Sequence, residues 1–78
     1  MNKNFSTFDL GLATALQTLD YKLLKLDKTN PKKARFVFEH GKGIEKAMLD
    51  YWNGKLKLSA LALFNNQKML KNRIYSDA

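Results

Sequence analysis

Cysteine is absent from the 78 residues, which excludes a disulfide framework and any thiolate metal site. Proline occurs once, at Pro31, and no repeat, low-complexity tract or Pro/Gly/Ser-rich linker divides the chain. A single domain is therefore expected over 1–78, with ends fraying at 1–4 and 76–78. The longest apolar run, 58–64 broken only by Ser59, falls far short of the ~20 residues a membrane span needs. The residues after Met1 form no apolar segment of the kind a signal peptide carries, so a cytoplasmic place and no membrane partner are expected. The most telling absence is of acid. Residues 51–76 contain no Asp or Glu, yet hold Lys55, Lys57, Lys68, Lys71 and Arg73.

A second stretch, 21–38, carries Lys22, Lys25, Lys28, Lys32, Lys33 and Arg35 against Asp27 alone. With a formal net charge of +7 and a pI near 9.8, the chain attracts polyanions and steers their approach. DNA, RNA, an anionic membrane or an acidic protein would each suit that balance. A chain this short buries only about 60% of its unfolded surface, and its core supplies about 3–5 kcal/mol net. Helix packing or self-association is the remaining source of stability.

Phe5 to Thr7 read as a short extended segment. Asp9 or Thr7 then starts a helix at about 9–19, with Leu12, Ala13, Leu16 and Leu19 at helical spacing. Tyr21 to Leu26 and Ala34 to Glu39 form the arms of a hairpin, joined through Asn30-Pro31 turn chemistry. Leu24 and Leu26 are expected on one face with Phe36 and Phe38, and Leu23, Lys25, Arg35 and Val37 on the other. Ile44, Ala47, Met48, Tyr51 and Trp52 mark a second helix, ended by Gly54 in a left-handed position. Lys55-Leu56-Lys57-Leu58 alternates and reads as a short edge strand. Ser59 caps a last helix at about 60–75, its buried stripe Leu63, Gln67, Leu70 and Ile74, flanked by Ala60 and Phe64. The expected class is α+β, a small antiparallel sheet (hairpin plus short strands) packed against three helices in the order β-α-β-β-α-β-α.

Three segments are similar to those of a family of small bacterial and phage-associated domains of unknown function. They are Phe5-Ser-Thr-Phe-Asp-Leu-Gly-Leu-Ala13, Phe36-Val-Phe-Glu39 and the ending from Phe64 to Tyr75. The resemblance spans nearly the whole chain and rests on packing residues and caps. It implies a bacterial or mobile-element protein of one domain and transfers no catalytic residue.

The chemistry-bearing residues point away from catalysis. His40 is the one histidine, beside Glu39 at a strand end, and lacks the positioned partner a general base needs. Ser6, Ser59 and Ser76 lie in no nucleophile-elbow pattern, and the acids are scattered. His40-Gly41-Lys42-Gly43 opens a helix with glycines but is not the G-x-x-x-x-G-K-[ST] phosphate loop. It suits either a single phosphate contact or a connection that needs glycine dihedrals. No enzyme, cofactor or metal is expected.

Lys32-Lys33-Ala34-Arg35-Phe36-Val37-Phe38 interleaves base and aromatic as nucleic-acid platforms do, but a domain this small needs both phenyl rings in its core. The hairpin-tip cations stay available to phosphate. On the last helix, Asn65, Lys68 and Asn72 lie off the buried stripe, with Asn66 and Arg73 on an adjacent line. Amide and basic side chains of this kind pair with base edges in a groove. Lys28, Lys32, Lys33, Arg35, Asn65, Lys68, Lys71, Asn72 and Arg73 are thus the expected contacts of a small non-enzymatic accessory protein that binds DNA or RNA. The alternative is a protein-interaction module or homodimer, using off-stripe Leu23, Val37, Leu61, Ala62 and Met69. Trp52 is expected in the core, or as a contact anchor if exposed.

Overall fold

The computed structural model describes residues 4–30 and 32–76. Pro31, expected in the hairpin turn, and residues 1–3 and 77–78, expected to fray, lie outside them. Asn4 and Ser76, expected to fray too, belong to regular elements. The order is β1 (Asn4–Thr7), α1 (Leu10–Thr18), β2 (Leu23–Asp27), β3 (Arg35–Glu39), α2 (Ile44–Trp52) and α3 (Ala60–Ser76). The fold is α+β, an antiparallel sheet ordered β1-β3-β2 with three helices. The run Lys55-Leu56-Lys57-Leu58 keeps its alternating burial but joins no ladder among the described residues.

β3 takes the centre because Phe36-Val37-Phe38 is apolar on both faces. Phe36 and Phe38 join Leu12, Leu16, Ile44 and Leu70 in the core, so the helices cover that face. Val37 is also buried but lies outside that core, on the face shared with its partners Ser6 and Lys25. The expected placement of Leu26, Lys25, Arg35 and Val37 holds. Leu23 and Leu24 exchange roles. Leu23 pairs with Phe38 and Lys25 with Val37, so Leu24 is a bulge residue and stands exposed. One inserted residue shifts the strand's parity, which simple alternation does not reveal.

The helices start and stop where their caps say. Asp9 Oδ1 accepts the Leu12 N–H at 2.8 Å, and Ser59 Oγ accepts the Ala62 N–H at 3.2 Å. α2 ends with Gly54 at φ 69°, its N–H bonded to Tyr51 O and the Lys55 N–H to Asp50 O. That pair of bonds is a Schellman closure. α1 closes the same way through Asp20 at φ 71°, with Asp20 N–H on Gln17 O and Tyr21 N–H on Leu16 O. Leu12 to Leu16 are buried without a break, because α1 is packed by α3, α2 and β1. Buried Thr14 is satisfied by donating to Leu10 O at 2.7 Å.

α3 buries Leu70 and half-buries Leu63, Gln67 and Ile74, as its stripe requires, but Phe64 is 65% exposed. Trp52 is 58% exposed, with its ring edge-on to Tyr51 at 4.9 Å. Phe64 was expected to flank the buried stripe, and Trp52 to lie in the core or, if exposed, to serve as a contact anchor. Each sits at the margin of its helical stripe, where periodicity alone does not separate a packed ring from a surface one.

Candidate nucleic-acid interface at the hairpin tip

The tip between β2 and β3 is held by its own short polar residues. Asp27 Oδ1 accepts both the Thr29 N–H at 2.9 Å and the Thr29 hydroxyl at 2.6 Å. Asn30 Oδ1 accepts the Lys32 N–H at 2.9 Å. Side-chain oxygens bonded to backbone two residues on are the local chemistry that fixes such turns. Asp27 and Arg35 are cross-strand partners, and Arg35 Nη2 donates to Asp27 Oδ2 at 2.8 Å. The Thr29 hydroxyl, then the Arg35 guanidinium, hold the Asp27 carboxyl well below the usual carboxylate range.

Lys28 joins this tip to a distant element. Its Nζ donates to Ile74 O at 2.5 Å. Ile74 lies in the last turn of α3, where carbonyls lack an intrahelical partner and the helix dipole favours a cation. The contact spans 46 positions of sequence and joins the two acid-poor stretches at this point. Lys32 and Lys33 are exposed on the tip, and Lys71, Asn72 and Arg73 are exposed within a turn of Ile74. Among the described residues of these two segments the one acid is Asp27, already partnered by Arg35.

Beside the cations lies a ring absent from the sequence-based set. Phe8 is 55% exposed, and Lys33 Nζ sits 5.5 Å from its centroid. Phe8, Asp27, Thr29, Asn30, Lys33 and Arg35 line a depression of about 260 Å³. Strand parity held the signal: Phe5 and Thr7 pair with core residues Phe38 and Phe36, so Ser6 and Phe8 fall on the other side.

Other expected residues lie apart. Asn65 and Lys68 are exposed on α3, about 14 and 9 Å of helix rise from Ile74. Asn66, expected on a surface line, instead donates from Nδ2 to Thr18 Oγ1 at 3.0 Å and ties α3 to α1. Lys55 and Lys57 precede the opposite end of α3. Of the eleven cations of the two acid-poor stretches, Lys28, Lys32, Lys33 and Arg35 belong to the hairpin tip, and Lys71 and Arg73 lie within a turn of Ile74, which Lys28 touches. Phe36 and Phe38 are core, as expected, and offer no platform.

The glycine loop before α2 is a tied connection. Gly43 has φ 80°, and the Tyr21 hydroxyl donates to Lys42 O at 2.8 Å. His40 Nε2 lies 3.7 Å from Glu45 Oε2, with both side chains exposed. Among the described residues no group of three or more His, Asp or Glu could hold a metal ion, and no helix is long and apolar enough to cross a membrane.

Fold and surface together define a small basic α+β domain with a cationic end. The chain belongs to the family described as Domain of unknown function (DUF5659), which matches residues 2–76. No curated protein and no solved structure matches it.

Proposed function

We propose that this protein is a non-enzymatic, cytoplasmic accessory protein of bacterial or mobile-element origin that binds nucleic acid through its hairpin-tip end. The observation that supports the reading is the Lys28–Ile74 contact, which ties the hairpin tip that bears Lys32 and Lys33 to the last turn of α3, the helix that bears Lys71 and Arg73. Cations grouped in this way neutralise successive phosphates and release their counterions. Exposed Phe8, beside Lys33 and Arg35, sharpens it to single-stranded DNA or RNA, whose unpaired bases stack on aromatic rings for about 1–3 kcal/mol each. Asn65, Lys68 and Asn72 lie along α3 where a longer strand would run.

The test is fluorescence anisotropy with single-stranded DNA, RNA and duplex probes. If about five phosphates are neutralised, single-strand affinity falls roughly 100-fold between 50 and 200 mM salt. The double variant Lys32→Glu/Lys33→Glu flattens that dependence. No binding at low salt, or binding indifferent to the double variant, removes the proposal.

Exposed Leu49, Trp52, Leu61 and Phe64 favour a second reading, a protein-interaction module.

A further inference from the structure

The second notable surface is a cleft of about 360 Å³ between α1, α3 and the segment that joins α2 to α3. Its walls are Ala15 of α1, Leu56 and Leu58 of the connection, and Leu63, Phe64 and Gln67 of α3. Tyr51 stands at the same cleft, its hydroxyl 3.5 Å from Asp9 Oδ1. Burial, then the Asp9 charge, raises the Tyr51 pKa, so the phenol stays protonated. The volume lies at the lower end of the range of about 300–1,000 Å³ seen for ligand pockets, which suits one or two side chains of a larger partner.

The rim of this cleft is residues 55–59 of the connection, which belong to no strand or helix. Burial alternates along Lys55, Leu56, Lys57 and Leu58, with both leucines lining the cleft and both lysines exposed. That is the period of an extended chain. Among the described residues, the N–H groups of residues 56–59 and the carbonyls of 55–58 have no hydrogen-bond partner. A row of unpaired backbone groups is a template for an added strand. The side chain of Gln67, half-buried in the facing wall, also makes no hydrogen bond among the described residues.

Charge selects the occupant. Neither Lys55 nor Lys57 pairs with a carboxylate among the described residues. Of the nearby acids, Asp50 is held by Lys46 at 2.8 Å, and Asp9 is engaged by the Leu12 N–H. We infer that residues 55–59 and the cleft receive an extended peptide of a partner protein in which apolar and acidic side chains alternate. The peptide adds as a strand along the open backbone. Its apolar residues enter beside Leu56, Leu58 and Phe64, and its carboxylates lie against Lys55 and Lys57. A second copy of this chain does not fit, because no stretch of it sets two acidic residues in alternation with apolar ones and two copies would oppose +7 to +7. The inference stands independently of nucleic-acid binding at the other surface.

The test uses the full chain and a labelled alternating leucine–glutamate peptide. A peptide of equal composition with its leucines and glutamates in separate blocks serves as control. Saturable binding of the alternating peptide is expected, with amide shifts and slowed hydrogen exchange at residues 56–59. Lys55→Glu/Lys57→Glu should weaken it about tenfold or more, while Lys32→Glu/Lys33→Glu leaves it unchanged. Equal binding of the block peptide, amide shifts centred on the hairpin tip, or no binding up to about 1 mM peptide overturns it.

Discussion

The hairpin tip and the cleft rim are both rich in lysine, yet they are built in opposite ways. At the tip, polar groups are consumed locally: Asp27 by Thr29 and Arg35, Asn30 by Lys32, and the Lys28 ammonium by the end of α3. What projects is charge and one ring on a fixed frame. At the rim, the lysines flank unpaired backbone and an apolar hollow. The lesson is that charge of the same sign supports different recognition. A preorganised cationic end suits a uniform polyanion, whereas open backbone beside a cleft suits a partner that brings hydrogen bonds and side chains of its own.

The two regions should differ most in their response to a substitution at the floor of the cleft. A Cβ added at Gly11 would lie 2.2 Å from the Tyr51 hydroxyl and 3.1 Å from Asp9 Oδ1. Alanine gains about 1 kcal/mol of helix propensity, but overpacking of this kind costs about 1–3 kcal/mol. Gly11→Ala is therefore expected to lower stability by roughly 1 kcal/mol net in urea unfolding. In a Tyr51→Phe background, where the clashing hydroxyl is gone, the loss shrinks. Nucleic-acid binding at the tip stays unchanged. A stabilised Gly11→Ala variant would mean that Tyr51 does not pack against α1 in this way.

A smaller effect sharpens the other side. Because the Asp27 pKa is lowered in the folded state, the stability it contributes is present above its unfolded value of about 3.9 and is lost as pH falls below that. Asp27→Asn is expected to flatten the decline in urea midpoint as pH drops from about 5 to 2. At neutral pH the same variant leaves Arg35 without its carboxylate, so the salt slope of nucleic-acid binding steepens by up to about 1. An unaltered acid limb would show that the bonds of Thr29 and Arg35 to the Asp27 carboxylate do not form in solution.

Much of this frame was legible in the sequence, because caps and stripes are local. Asp9, Ser59 and Gly54 announced helix ends, and Phe36 and Phe38 could be assigned to the core from the size of the chain. Leu23 and Leu24 were exchanged because a bulge has no composition signal of its own. The exposure of Phe64 and Trp52 was left open because a helical stripe has margins as well as a centre. The candidate interface was half legible. Its cations follow from missing acids, whereas Phe8, one residue past β1, was missed although the strand's parity pointed to it. The Lys28–Ile74 contact, which brings the parts together, depends on tertiary packing that no local pattern encodes. The alternation at Lys55-Leu56-Lys57-Leu58 was visible too, but that no strand of the sheet pairs with it was not.

The most direct measurement is the titration of an unlabelled single-stranded oligonucleotide into isotope-labelled protein, read by amide chemical shifts. The expected result is movement confined to Phe8, Lys32, Lys33, Arg35 and the last turn of α3 around Lys71 and Arg73, with residues 56–59 unmoved. Shifts centred on the cleft rim, or none at low salt, would contradict the assignment of the cationic end to nucleic acid.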